Sequence, residues 1–153
     1  MPSSENRVVS SSRLVRGTPE QIFEAIADPS RQPTWDGNDN LADAAAGQRV
    51  RGVGDVFAMT LTTGAVRENH VMEFVEGRRI AWKPAEPGLP PVGHLWRWEV
   101  EPVDGAQSRV THTYDWTGLA DENRYPRARA TTSERLAASI DRLADLLENG
   151  ASS

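Results

Sequence analysis

The sequence predicts an α+β fold in which one curved antiparallel sheet of seven strands wraps around a long C-terminal helix. A β-compatible segment followed by two short helical patterns opens the chain. Six alternating apolar and polar segments, separated by turn residues, follow from about residue 41. Beyond residue 131, apolar residues recur at helical spacing. A length of 153 residues suits one domain, expected to span residues 1–153 with its core at about 7–148.

The first strand and the two short helices occupy the N-terminal part of the chain. Residues 7–15 are β-compatible and are followed by TPEQ at 18–21. Threonine as the N-cap, proline at the first helical position and glutamine three residues after the cap predict a helix start. Asp28-Pro29 ends or kinks this helix, and residues 29–35 predict a second short helix or turn that ends at Trp35.

Six further strands are expected at 41–50, 55–62, 65–75, 79–84, 92–103 and 107–117. The turns between them predict how they pair. A two-residue turn at Thr63-Gly64 places Met59 opposite Glu68 and Phe57 opposite His70. Three-residue loops at 76–78 and 104–106 pair Phe74 with Ile80, Met72 with Trp82, Val100 with Val110, Trp98 with His112, Trp96 with Tyr114, and His94 with Trp116.

The last element is a helix of about eighteen residues, long enough at about 27 Å to cross the sheet. Thr131 with Glu134 predicts a capping box at its start, and Asn149-Gly150 predicts its end. Its buried stripe consists of Leu136, Ile140, Leu143 and Leu147.

Two strand sequences, HLWRWEV at 94–100 and VTHTYDW at 110–116, suggest that the sheet lines a pocket. Alternate residues of a strand share a face, so the histidines, tryptophans and tyrosine of both segments fall on one side. A solid core prefers branched aliphatic side chains without polar atoms. A concave wall of amphipathic rings is more typical of a ligand site.

Candidate site residues follow from the predicted registers. Those expected to contact a ligand are Trp35, Phe57, Met59, Met72, Trp82, His94, Trp96, Trp98, Tyr114 and Trp116. Candidate catalytic groups are Glu68, His70 and His112, because a carboxyl or imidazole in an apolar cleft is suited to proton transfer. A metal site is disfavoured, since the three histidines lie on different strands without ligand spacing, and no cofactor is expected.

Composition excludes several classes of function. The chain has no cysteine and a net charge of −5, and its basic clusters at 78–79 and 124–129 have acidic neighbours. These arginines are interpreted as solvated surface, and nucleic acid is not an expected partner. No apolar run has the length of a membrane span, and MPSSENR at the N-terminus lacks a hydrophobic leader, so a cytoplasmic location is expected.

The chain resembles the START-like helix-grip (SRPBCC) superfamily, and within it the polyketide cyclase/dehydrase and lipid-transport family. The resemblance rests on residues 8–35, on VMEFVEGRRIAW at 71–82 and on SRVTHTYDW at 108–116. It implies a cavity between the sheet and the long helix that receives a hydrophobic or aromatic molecule. Some relatives cyclise or dehydrate polyketides, whereas others only bind and carry their ligand.

Three functions therefore stand open. The first is binding of a small hydrophobic or aromatic molecule, polyketide- or lipid-like, in the cavity. The alternative is a polyketide cyclase or dehydratase that uses acid–base groups in that cavity. The third is an interaction module resembling a chaperone activator, a branch that the EGRRIAW segment at 76–82 also resembles. A homodimer is left open.

Overall fold

The computed structural model describes residues 6–37 and 40–150; the ends of the predicted domain and loop residues 38 and 39 lie outside that range. The strands are β1 (Val8–Arg16), β2 (Leu41–Asp43), β3 (Val56–Leu61), β4 (Val66–Val75), β5 (Arg79–Ala85), β6 (Leu95–Pro102) and β7 (Gln107–Asp115). The α-helices are α1 (Pro19–Ala27), α2 (Gln32–Trp35), α3 (Tyr125–Arg129) and α4 (Ser133–Gly150). Short 3₁₀ turns at Pro29–Arg31 and Glu122–Arg124 precede α2 and α3.

All seven strands form one antiparallel sheet in the order β1-β7-β6-β5-β4-β3-β2. Strands β2 to β7 are sequential neighbours, and β1 pairs with β7 at the opposite edge. Helix α4 packs across β1 and β7, and α2 packs against α4. The predicted α+β architecture is therefore confirmed. Among the described residues, no helix is long and apolar enough to cross a membrane.

Helix α1 begins as predicted. The Gln21 backbone N–H donates to Thr18 Oγ1 at 3.2 Å, and the Thr18 N–H donates to Gln21 Oε1 at 3.0 Å. These two bonds satisfy donors that the helix itself leaves free. The buried face of α1 carries Ile22, Phe23 and Ile26, which are fully shielded from solvent.

Helix α4 begins later than predicted. Its N-terminal cap is Thr132, whose Oγ1 accepts from the Arg135 N–H at 3.4 Å. The expected cap, Thr131, instead donates its hydroxyl to the Arg127 carbonyl at the end of α3. The sequence predicts no element between 118 and 130, but the structure has the 3₁₀ turn Glu122–Arg124 and helix α3 in this range. Of the predicted stripe, Leu136, Ile140 and Leu143 are buried, and Leu147 is partly buried against the same core as Ile140 and Leu143.

The second predicted strand, 41–50, is too long. Only β2 pairs with β3, and the chain turns through Gly47, whose φ is +90°. The Gln48 side chain then takes the place of strand pairing. Its Nε2 donates to the Ala58 carbonyl at 3.1 Å, and its Oε1 accepts from the Ala58 N–H at 2.8 Å.

The β3–β4 register also differs from the prediction. The hairpin loop has three residues, Thr62-Thr63-Gly64, closed by a bond from the Leu61 N–H to the Ala65 carbonyl at 2.7 Å. Gly64 has the expected positive φ, but Phe57 pairs with Asn69 and Met59 with Arg67. One added loop residue turns the other face of β4 inward.

A bulge at Met72 restores the predicted orientation at the end of β4. Val71 pairs with Trp82, whereas the next paired residue, Glu73, faces Ala81. The extra residue shifts the side-chain alternation by one position, so Phe74 pairs with Ile80 as expected. The predicted Met72–Trp82 pair is wrong. In the β6–β7 hairpin, by contrast, the pairs Val100–Val110, Trp98–His112 and Trp96–Tyr114 are confirmed.

Candidate ligand cavity

A cavity of about 240 Å³ lies between the concave face of the sheet and the helices α2, α3 and α4. Its volume is many times the roughly 15 Å³ that one water needs. Of the residues expected at a ligand site, those that line it are Trp35, Met59, Trp82, His94, Trp96, Trp98, His112 and Tyr114. The interior is therefore left partly unfilled by side chains.

Three expected ligand contacts do not line the cavity. Phe57 is buried in the main core, with its ring edge-on to Trp82 at 5.3 Å. Trp116 belongs to a second buried cluster, edge-on to Tyr125 at 5.4 Å. Met72, at the β4 bulge, lies 46% exposed. The register difference explains why Met72 points away from the cavity, and close packing within the two clusters explains why Phe57 and Trp116 do not reach it.

Glu68 and His70 lie on the opposite face of β4 from the cavity. Asn69 and Arg67, their neighbours in the alternation, line the cavity instead. Glu68 accepts a hydrogen bond from the Gly88 backbone N–H at 2.9 Å and so fastens the proline-rich loop after β5. Of the three candidate catalytic groups, the structure therefore places only His112 at the cavity, because the three-residue hairpin loop turns Glu68 and His70 to the other face of β4.

The cavity wall is a stack of rings from β6 and β7. The His112 ring lies parallel to Trp98, with centroids 3.8 Å apart and an interplanar angle of 13°. The next pair along the strands, Trp96 and Tyr114, has centroids 4.4 Å apart. Trp35 from α2 meets Trp98 edge-on at 5.0 Å and donates its Nε1–H to the Ala25 carbonyl at 2.8 Å. These ring contacts form a continuous aromatic wall.

Several buried polar atoms of this wall have no hydrogen-bond partner in the described part of the chain. They are Trp98 Nε1, His94 Nδ1 and both ring nitrogens of His112. Buried polar groups in proteins are usually satisfied, so each of these needs a reason. A ligand or bound water in the adjoining cavity would supply the missing partners.

Burial keeps the titratable groups of the wall uncharged at neutral pH. Desolvation lowers the pKa of His112 to about 3. An interaction with the Leu136 backbone, which lacks the distance or alignment of a regular hydrogen bond, offsets only part of this effect. Burial, and then the positive charges of Arg124, Arg67 and Arg127, lower the pKa of His94 to about 4. Burial raises the pKa of Tyr114 to about 12. These groups therefore offer neutral donors and acceptors.

The cavity also carries polar residues that the sequence reasoning missed. Beyond the predicted residues it is lined by Gln32, Asp36, Arg67, Asn69, Arg124, Arg127, Thr131, Arg135 and Ser139, among others. The arginines at 124 and 127 were interpreted as solvated surface. A local signal for their helical segment exists, because Asp121 caps the turn by accepting from the Asn123 N–H and Pro126 stands in the first turn of α3.

Helix α3 is held in place by its own aromatic and small residues. The Tyr125 hydroxyl donates to the Leu119 carbonyl at 3.1 Å, and its ring packs edge-on to Trp116. Ala128 is buried in the same cluster and also reaches the cavity. This anchoring fixes the segment from which Arg124 and Arg127 line the cavity.

Two close backbone approaches near the cavity depend on glycine. A Cβ on Gly37 would lie 2.4 Å from the Ala138 carbonyl carbon in α4, and the Gly37 N–H donates to Ser139 Oγ at 3.2 Å. A Cβ on Gly93, whose φ is +122°, would lie 2.0 Å from the Gly118 carbonyl oxygen. These contacts bring the loops before β2 and β6 against α4 and the chain after β7.

The described residues contain no group of three His, Asp or Glu side chains arranged to hold a metal ion. The sequence model of the family described as polyketide cyclase/dehydrase and lipid transport matches residues 6–148. The chain belongs to that family. The match covers both the ring wall and the arginine-bearing segment of its cavity.

One curated relative of this polyketide cyclase/dehydrase family chain is uncharacterized protein Rv0088 of Mycobacterium tuberculosis. The two are 29% identical over 119 residues, which is 71% of this chain. The chain spans about half of the relative's length, 47%.

Solved structures share the fold at low sequence identity. The Aha1 dimer from Colwellia psychrerythraea matches at TM-score 0.64 and 19% identity, covering 92% of this chain and 96% of that one. MLL2253 from Mesorhizobium loti matches at 0.69 and 15%, covering 94% and 98%. DynU16, of the dynemicin biosynthetic locus, matches at 0.65 and 17%, covering 95% and 49%. These likenesses establish the helix-grip fold alone.

Proposed function

We propose that this protein binds a small hydrophobic or aromatic molecule in the cavity between the sheet and α4. One observation carries the proposal: a stacked ring wall borders an unfilled space, and its buried polar atoms at Trp98, His94 and His112 have no described partner. Aromatic walls with a few polar atoms hold planar ligands by contact and orient them by hydrogen bonds.

The residues that line the cavity support cyclase or dehydratase chemistry less than they support binding. His112 is the one candidate catalytic group that lines the cavity, and burial lowers its pKa to about 3. A general base works best with a pKa near the operating pH, so such an imidazole abstracts protons weakly. Its neutral ring is suited instead to orienting a ligand carbonyl or hydroxyl. The family and the cavity keep a cyclase as the second candidate, with His112 and Tyr114 as its polar groups.

The test of binding uses a neutral aromatic probe, 2-naphthamide, measured by calorimetry. We expect Trp96→Ala to weaken its affinity about tenfold, because a half-buried ring of the wall is lost. Phe23→Leu is the matched control, since Phe23 is a buried ring in the core and does not line the cavity. Thermal unfolding of both variants shows that they fold.

Native mass spectrometry of the purified protein provides an independent readout, since a cavity ligand would co-purify. A calorimetric titration in which the wild type fails to bind any neutral or charged naphthalene probe would overturn the proposal. So would equal affinities for wild type and the folded Trp96→Ala variant, because the probe would then bind elsewhere.

A further inference from the structure

The charge of the cavity lining is opposite to the charge of the chain. The chain carries a net charge of −5. Among the lining residues that the structure describes, four are arginines, at positions 67, 124, 127 and 135, and the one carboxylate is Asp36. Asp36 directs its Oδ2 to the backbone N–H groups of Asn40 and Leu41. Four cations around one cleft produce a local positive potential.

Two of these arginines lack a carboxylate partner within the described residues. Arg67 is half-buried, and its guanidinium donates only to the carbonyl of its neighbour Val66 at 3.2 Å. Arg127, on α3, takes part in none of the ion pairs formed among described residues. Arg124 is more neutralised, since it pairs with Asp121 at 3.2 Å and lies 3.9 Å from Glu86. Arg97, by comparison, is fully paired, with a 2.7 Å bond to Glu73.

Three of the lining arginines share the cavity with His94. After burial, which is the largest cause, the charges of Arg124, Arg67 and Arg127 further lower the pKa of His94. His94 immediately precedes β6, whereas Trp98 is four residues further along and fully buried. At about 3.3 Å per residue the two positions are about 13 Å apart. The cavity therefore has an uncharged end at Trp98 and a cationic end at His94.

We propose that the ligand is an amphipathic acid, whose rings or hydrocarbon lie on the wall at Trp96 and Trp98 and whose carboxylate, sulfonate or phosphate meets Arg67 and Arg127. This inference rests on the proposed function and assigns its ligand class. Guanidinium groups bind such anions by paired, charge-assisted hydrogen bonds. The neutral Asn69 amide lines the cavity two residues along β4 from Arg67 and is placed to orient the head group.

The test compares 2-naphthoate with 2-naphthamide, a pair that differs mainly in charge. Calorimetry at low ionic strength is expected to show about tenfold tighter binding of the acid to wild type. A hydrogen bond to a charged group strengthens binding by about this factor. Arg127→Gln and Arg67→Gln should each weaken binding of the acid more than binding of the amide, and so reduce the preference. Arg142→Gln is the control, because Arg142 is an exposed arginine of α4 away from the cavity.

The results separate this inference from the proposed function. Equal affinity of wild type for the acid and the amide would overturn the acid-binding inference and leave cavity binding supported. A preference that Arg142→Gln reduces as much as Arg127→Gln would also overturn it, because the effect would then come from overall charge. Failure of both probes to bind would overturn the proposed function itself.

Discussion

At the scale of the residue, His112 shows how a ligand cavity alters a core position. Its ring stacks on Trp98 like an apolar side chain, yet both nitrogens are buried without a partner in the described protein. Leaving such groups unsatisfied costs about 1–3 kcal/mol of folding stability. Under the proposed function, a ligand that hydrogen-bonds to these atoms would offset this cost.

The titration of His112 makes the unliganded protein sensitive to acid. Its pKa falls from 6.5 in the unfolded chain to about 3 in the fold, so between these values the unfolded state binds the extra proton. Stability is therefore fully present above pH 6.5 and is lost as pH falls toward 3. We expect His112→Phe, which keeps the stacked ring, to lose about 2 kcal/mol less than wild type between pH 7 and pH 5.

Urea denaturation at the two pH values measures this difference. His94 keeps its own lowered pKa in the variant, so part of the acid sensitivity should remain. Identical losses of unfolding free energy in wild type and His112→Phe would contradict a neutral, buried His112.

At the scale of the element, the sequence predicts strand pairing correctly where the turn length and the alternation of inward-facing residues agree. The β6–β7 hairpin paired as expected because its turn and its apolar face agree. The predicted pairing of β4 with β3 is wrong because His70, Met72 and Phe74 alternate along the strand and suggest that this face points inward throughout. Cavity-facing Arg67 and Asn69 break the rule that inward residues are apolar. A three-residue loop and a bulge place Arg67 and Asn69 on the inward face, and neither feature can be predicted from the alternation of apolar and polar residues.

Helix α3 was not predicted, for a related reason. Its arginines resemble a solvated surface in the sequence, and only the fold shows that Arg127 lines the same cavity as Tyr114 and His94. The sequence could therefore identify the ring wall, which lies on two regular strands. It could not identify the cationic end, which is assembled from β4, α3 and the start of α4.

The position of α4 relative to the rest of the cavity depends on Gly37. Gly37→Ala would place a methyl group 2.4 Å from the α4 backbone at Ala138, so the loop or the helix must move. We expect a loss of about 1–3 kcal/mol in unfolding free energy, typical of overpacking, together with weaker binding of 2-naphthamide. Gly105→Ala is the matched control, since no atom lies within 4 Å of the Cβ it would gain. Chemical denaturation with equal midpoints for the two variants would show that the close approach is not maintained.

At the scale of the whole molecule, the arginine end of the cavity is a concentration of like charge that a single acidic ligand would relieve. Arg67, Arg124, Arg127 and Arg135 line one cleft. Like charges that share a cleft repel one another, which destabilises the empty protein. The same repulsion is the electrostatic source of acid affinity, so binding and empty-state stability should change in opposite directions.

Arg127→Gln tests this opposition, because it removes a charge that no described carboxylate neutralises. In the absence of ligand, we expect the variant to be more stable than wild type by about 0.5 kcal/mol at low ionic strength, the size of a partly exposed charge pair. Screening at 0.5 M salt should remove most of that gain, since the Debye length then falls below about 5 Å. The exposed control Arg142→Gln lies outside the cleft and should show no such gain. Thermal unfolding at both salt concentrations measures the effect, and a variant that is less stable than wild type at low salt would mean that Arg127 serves the fold rather than the ligand.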